Sequence, residues 1–272
     1  MGLRVNTNVA SLTAQRNLNS VTGRLQGNYA RLSSGLRIAT AADDAAGLGI
    51  SERMRSQIRS YDAAGRNAQD GISLVQTAEG ALNEASNILT RMRELAMQAS
   101  NGTLSATDLA TIDTEMDQLT DELDRISTST EFNNIALLDG STASASIQIG
   151  LDLGETIDIT LQDTSTTALG VSAIDVTAGG GGAAALADID GAIDTVNTAR
   201  GEMGAAQNRL GSAYASIQSA RENLAAAESR IRDVDVAKET ADLTRNSILQ
   251  QAAVSILSQA NVQPQLALSL LQ

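Results

Sequence analysis

Seven-residue repetition in one stretch of the chain limits what it can fold into more than any other feature. Ile189, Val196, Met203, Leu210, Ile217, Leu224 and Ile231 stand seven apart, and three residues after each of the first six comes Ala192, Ala199, Ala206, Ala213, Ala220 or Ala227. Such spacing puts one large side chain and one methyl per heptad on a single helical stripe. Alanine at the second position lets a partner helix approach more closely than a Leu/Leu seam would. Ala199, Met203, Ala206, Leu210, Ala213 and Ile217 are the candidate helix seam. A helix buried inside any bundle would need fewer regular heptads, so the pattern points to an elongated, antiparallel, coiled-coil-like α-helical bundle.

Two further stripes supply partners. Val75, Ala78, Leu82, Ala85, Leu89, Met92, Ala96 and Ala99 alternate steps of three and four, which predicts a helix over about 57–100, roughly 65 Å long. Ile50, Met54, Tyr61, Ala64 and Ala68 extend the register upstream, with interruptions at Gln57 and Gly71. Asn101-Gly102 is a stop signal, and Ser105 with Asp108 three residues on reads as a capping-box restart. Leu109, Ile112, Met116, Leu119, Leu123 and Ile126 then carry a second helix to about 127, antiparallel to the first.

The period next changes to two. Ile147, Ile149, Leu151 and Leu153 alternate with polar residues, Gly154-Glu155 interrupts, and Ile157, Ile159 and Leu161 alternate again, predicting a β-hairpin within 137–178. Another extended piece is expected over 168–177. The glycines of 179–184 read as a linker. The single proline, Pro264, leaves helices free to run unbroken.

Composition excludes most chemistry. The chain of 272 residues has no His, Cys or Trp, which removes thiol nucleophiles, imidazole bases, His or Cys metal sites and disulfides. The carboxylate pairs Asp43/Asp44, Asp188/Asp190 and Asp233/Asp235 lack calcium-loop spacing and read as helix caps and solvated faces. No catalytic residue, metal or cofactor is expected. The net charge of −13 is concentrated in the middle, residues 101–200 carrying −15 against +3 for 1–100. That distribution argues against a nucleic-acid partner. No apolar run is long enough to insert in a membrane, and Arg4 with Asn6 and Asn8 stand where a secretory signal needs apolar residues.

Both ends carry apolar stripes. Val5, Val9, Leu12, Leu18, Val21, Leu25 and Leu32 lie at one end; Ile248, Leu249, Val254, Ile256, Leu257, Leu266, Leu268, Leu270 and Leu271 lie at the other. Neither stripe can be buried by its own helix, so the ends are expected to bury against each other or against other copies of the chain. The candidate assembly residues are Val5, Val9, Leu12, Leu18, Leu25, Leu32, Ile248, Leu249, Ile256, Leu257, Leu270 and Leu271. The expected division is 1–44 with 232–272 as terminal helices, and 45–231 as a helical bundle with its hairpin.

Arg31-Leu32-Ser33-Ser34-Gly35-Leu36-Arg37-Ile38 followed by Ala41-Ala42-Asp43-Asp44-Ala45-Ala46-Gly47-Leu48 resembles bacterial flagellin. So do Asn6-Thr7-Asn8, Asp70-Gly71-Ile72-Ser73-Leu74, Gln76-Thr77-Ala78-Glu79-Gly80-Ala81-Leu82, Arg93-Glu94-Leu95-Ala96, Gln207-Asn208-Arg209-Leu210, Glu222-Asn223-Leu224 and Gln259-Ala260-Asn261. The resemblance covers about 1–178 and 185–272. It implies a structural subunit of the swimming filament, with terminal helices paired in an inner tube, long central helices outside, and no variable domain at the glycine run. It also implies unfolded export by the flagellar type III apparatus without a cleaved signal peptide. The partners it implies are a secretion chaperone, the filament cap, hook-associated proteins and other copies of the chain. A Toll-like receptor contact is implied on Arg91, Leu95 and Glu115. A hook-filament junction protein and a secreted coiled-coil adhesin are the alternative readings.

Overall fold

The computed structural model describes residues 7–177 and 181–269, with backbone alone for 264–269. Val5, Leu270, Leu271 and the glycines at 179 and 180 lie outside the described residues. The fold is mainly α, in the order α1 (Val9–Ser34), α2 (Ala45–Ala99), α3 (Ala106–Ser129), β1 (Glu131–Phe132), β2 (Ile135–Ala136), β3 (Ser144–Gln148), β4 (Thr156–Thr160), α4 (Gly181–Arg232) and α5 (Val236–Ser269). Two compact units result: residues 1–56 with 223–272, and residues 57–222. The division falls inside α2 and α4, about twelve and nine residues from the boundaries expected at 44/45 and 231/232.

In the 57–222 unit, three helices and the hairpin region share one apolar core. Val75, Ala78, Leu82, Leu89 and Met92 of α2, Met116 and Leu123 of α3, and Ile189, Val196, Met203 and Leu210 of α4 are almost completely buried. Helices α2 and α4 are antiparallel, as the ion pairs Arg93–Asp190 and Arg221–Asp62, each 2.6 Å, show from their numbering. The α4 stripe follows the heptads closely as far as Ile217. Ala199, Met203, Ala206, Leu210 and Ile217 are buried, Ala213 is half-buried, and Leu224, Ala227 and Ile231 are half-buried as well.

Gly71 does not interrupt α2. A Cβ there would lie 3.1 Å from Ile147 of β3 and 3.3 Å from Leu210 of α4, so the missing side chain lets the strand and the second helix close on α2. Gly182 is similar. It belongs to the first turn of α4 rather than to a linker, and a Cβ would lie 2.7 Å from the Ser100 backbone nitrogen at the end of α2.

The hairpin pairs β3 with β4 from Ser144↔Thr160 to Gln148↔Thr156. It is shorter than the alternation suggests: Leu151 and Leu153 fall in the connecting loop, where Leu153 is fully exposed. A second small pair, β1 with β2, is joined by Asn133 and Asn134 at φ 51° and 63°, a two-residue turn in which both residues are left-handed. Residues 168–177 form turns and bends instead of an extended piece. They close the core through Leu169, Val171 and Val176, and the Val176 N–H donates to Asp113.

Candidate assembly interface

Helices α1 and α5 pack side by side in the first unit. Asn8 donates to the Ala260 carbonyl at 2.7 Å near one end, and Arg31 donates to Glu239 at 2.8 Å near the other, so the pair is antiparallel. Both connectors are fixed by backbone bonds. Gly35 caps α1 at φ 73°, its N–H donating to the Arg31 carbonyl; Arg37 N–H then donates to the Arg232 carbonyl, and Val234 N–H to the Gly35 carbonyl. The left-handed cap needs glycine because a Cβ there is strained. Asp235 accepts from the N–H groups of Ala237 and Lys238 and so caps α5.

The residues turned inward form two regular stripes. On α1 they are Ser11, Ala14, Leu18, Val21, Leu25, Asn28 and Leu32; on α5 they are Glu239, Leu243, Asn246, Gln250, Ala253, Leu257 and Ala260. Each alternates steps of three and four, the spacing of a coiled-coil seam. Small and polar residues occupy half of it. Ser11 donates to Asn261 at 2.8 Å, Asn28 donates to Glu239 at 2.8 Å, and Asn246 donates to Asn28 at 3.0 Å.

Several large apolar residues of the ends lie outside this seam. Ile248 and Ile256 are 60% and 59% exposed, and Leu249, Val254, Val262, Val9 and Leu12 are exposed too. Of the residues singled out from the sequence, Leu25 is buried, and Leu18, Leu32 and Leu257 are half-buried in the seam. Val9, Leu12, Ile248, Leu249 and Ile256 face away from it. The sequence reading followed side-chain size, and counting back from Leu18 in steps of four and three leads to Ala14 and Ser11, not to Leu12. Sequence reasoning missed Asn28, Glu239 and Asn246 for the same reason. The signal that finds them is spacing: Asn28 lies three after Leu25 and four before Leu32.

The other candidate residues lie in the 57–222 unit. Arg91 donates to Glu115 at 2.8 Å and to Glu94 at 3.0 Å, and these bonds raise its pKa, Glu115 contributing most. Leu95, four residues on, is only 2% exposed. It turns into the core beside Met92 and Ala96 because the apolar face of α2 is wider there than one line of residues. Arg91 and Glu115 are thus brought together at the surface, whereas Leu95 is buried.

Four of the six paired carboxylates, Asp43, Asp44, Asp190 and Asp235, have structural partners. Asp43 accepts from the N–H groups of Ala39 and Thr40 and from the Thr40 hydroxyl, which hold its pKa below the ordinary value; the Thr40 backbone bond contributes most. Asp44 accepts from Gly47 N–H at the start of α2, and Asp190 pairs with Arg93. Among the described residues there is no cluster of three or more potential metal ligands, and no helix is long and apolar enough to cross a membrane.

Comparison with known proteins identifies the family. The description "Bacterial flagellin N-terminal helical region" matches residues 5–143, and "Bacterial flagellin C-terminal helical region" matches 186–271. The chain is similar to the flagellin of Halalkalibacterium halodurans, 47% identical over 98% of this chain and 99% of that one. It is also similar to the flagellin of Bacillus subtilis, 46% identical over 99% and 100% of the two chains. The crystal structure of Bacillus cereus flagellin superposes with a TM-score of 0.52 at 35% identity, over 60% of this chain and 94% of that one. The alignment with the Halalkalibacterium relative runs over 270 residues, nearly the whole of both chains. With both terminal regions matched and two relatives aligned along nearly their whole length, the chain belongs to the bacterial flagellins, in their short form.

Proposed function

We infer that the outward faces of α1 and α5 are the surface through which this flagellin, a structural subunit of the flagellar filament, joins other copies of itself. The observation that carries this is the inversion of the terminal pair. Small and polar residues take about half of its inner seam, while Ile248, Ile256, Val254, Val9 and Leu12 point outward. Apolar side chains left in water on a paired helix gain their burial only from another molecule, each by about 1.5–3 kcal/mol when fully covered. Because the inner seam is weak, order in the ends follows from contact with neighbours.

Salt-induced assembly of purified protein, followed by electron microscopy, tests this reading. Ile248→Ser with Ile256→Ser leaves the α1/α5 seam untouched and should abolish filaments. Filaments of normal yield and length from that variant would refute the assignment.

The same reading makes the protein extracellular, exported through the flagellar type III apparatus with its chaperone, and in contact with the filament cap and hook-associated proteins at the filament's ends. An absence of His and Cys supports a purely structural role without catalysis. A hook-filament junction protein would be scarce in sheared surface protein, whereas a filament subunit would dominate it.

Host recognition belongs to the exposed Arg91 and Glu115, while Leu95 is buried in the core. A Toll-like receptor contact there should lose most of its signalling on Arg91→Ala in the monomer. Unchanged signalling would remove the residue from the contact.

A further inference from the structure

Asn28, Glu239 and Asn246 are buried in the α1/α5 seam and bonded to one another, with Arg31 completing the group. The Glu239 carboxylate is 11% exposed and receives both the Asn28 amide and the Arg31 guanidinium, each at 2.8 Å. Asn28 uses its donor on Glu239 and its acceptor on Asn246, so three side chains on two helices form one chain of hydrogen bonds. We propose that this network sets the register in which α1 and α5 pair, and thereby decides which exposed apolar residues of the two helices share the polymerising face.

The rest of the seam cannot set it. Ala14, Leu18, Val21 and Leu25 on α1 oppose Gln250, Ala253, Leu257 and their neighbours on α5. Apolar and small residues of this kind pack nearly as well one heptad up or down, because a seam repeats every seven residues. The polar group does not repeat. Sliding α5 by one heptad toward the start of α1 carries Glu239 from Asn28 to the level of Val21 and Leu25, where a buried carboxylate has no donor. Sliding it the other way takes Glu239 past Gly35, where α1 has ended, and brings Asn246, one heptad on, to Asn28 in its place, so that Arg31 loses its carboxylate and Asn28 loses one of its two partners. A single buried polar position is known to fix register in coiled coils at some cost in stability. That cost suits ends whose order depends on neighbours.

This proposal rests on the reading that the terminal pair is the polymerising surface, and the test separates the two. The chain has no cysteine, so engineered pairs report without background. In the full chain, Asn261→Cys is combined with Ser11→Cys, with which it is in contact, or with Leu18→Cys, one heptad out of register in the seam. Disulfide formation is measured in assembled filaments. With the network intact, the in-register pair should form at least about tenfold more disulfide than the shifted pair. In Asn28→Leu with Glu239→Leu and Asn246→Leu, the ratio should fall to about twofold or less, with helix content of the dilute chain unchanged or higher. Glu239→Gln, which keeps an acceptor for Asn28, should retain most of the preference.

If the triple variant does not assemble, the two cysteine pairs are compared in the soluble chain with trimethylamine N-oxide, which favours the folded ends. Retention of the tenfold preference in the triple variant, in either setting, would overturn the register role while leaving the terminal pair as the polymerising surface. Absence of the in-register disulfide from wild-type-network filaments would overturn both.

Discussion

Asp108 shows how much a single side chain does at the restart of a helix. Its carboxylate accepts from the Ser105 N–H at 3.1 Å and from the Ser105 hydroxyl at 2.7 Å, while the Ser105 oxygen accepts from the Asp108 N–H. Two backbone donors that α3 cannot satisfy internally are thereby paired. The hydroxyl bond and then the backbone bond hold the Asp108 pKa below its ordinary 3.8. A depressed folded-state pKa means that the stability from this carboxylate is fully present above its ordinary value and is lost as the pH falls through the lower, folded one. Asp108→Asn should therefore weaken protection of the first-turn amides of α3 near neutrality, and match the parent once the parent's carboxylate is protonated. Ser105→Ala removes the cap itself and should cost about 1 kcal/mol. Hydrogen exchange at residues 106–109 across pH checks both, and a difference that persisted unchanged below the folded pKa would show that the box does not depend on charge.

At the level of elements, the alanine seam gives the sharpest test. Ala206 is buried at 7% exposure, Ala213 is half-buried and Ser216 is exposed. Leucine at 206 has no space to occupy and should cost about 1–3 kcal/mol by overpacking. At 213 the cost should be smaller, and at 216 within about 0.5 kcal/mol of zero. Thermal unfolding of the three variants checks the order; equal midpoints would mean that α4 turns these alanines to solvent. This seam could be read from sequence because large residue and alanine repeat strictly, so size and register agree. In α1 and α5 they disagree. Val9 and Leu12 draw attention from Ser11 and Ala14, as Ile248 and Ile256 do from Asn246 and Ala253, and the inner stripe is recovered only by counting. Strands β1 and β2, of two residues each, carry no period at all; the Asn133-Asn134 turn was their sole signal. Segment 168–177 resisted for another reason. Its Leu169, Val171 and Val176 are buried by tertiary packing rather than by a strand, and alternation cannot tell the two apart.

The two units of the molecule are held together by different means, and their stabilities should differ accordingly. In residues 57–222 the core unites α2, α3, α4 and the hairpin region around side chains such as Leu82, Met92, Met116, Leu123, Leu138 and Leu210, all at 1% exposure or less. In residues 1–56 with 223–272, the α1/α5 seam buries few large apolar groups, and Asn28, Glu239 and Asn246 fill positions that leucine would fill in a stable coiled coil. Ordering each residue costs about 1–2 kcal/mol of backbone entropy, which a seam so poor in apolar area offsets only in part. The first unit should therefore open well before the second in the dilute chain. Limited proteolysis should cut first within α1 and α5 and leave a resistant fragment close to 57–222. Calorimetry should resolve a weak low-temperature transition from the main one. Assembly should reverse the order of vulnerability by covering Ile248 and Ile256, so that cleavage within α5 slows by at least about tenfold in filaments, the factor that roughly 1.4 kcal/mol of added stability gives. Deletion of residues 250–272 should abolish that protection together with polymerisation, and leave the main transition in place. Cleavage of α5 at the same rate in filament and monomer would show that neighbours do not cover these helices. A main transition lowered by the deletion would show that the 57–222 core depends on them.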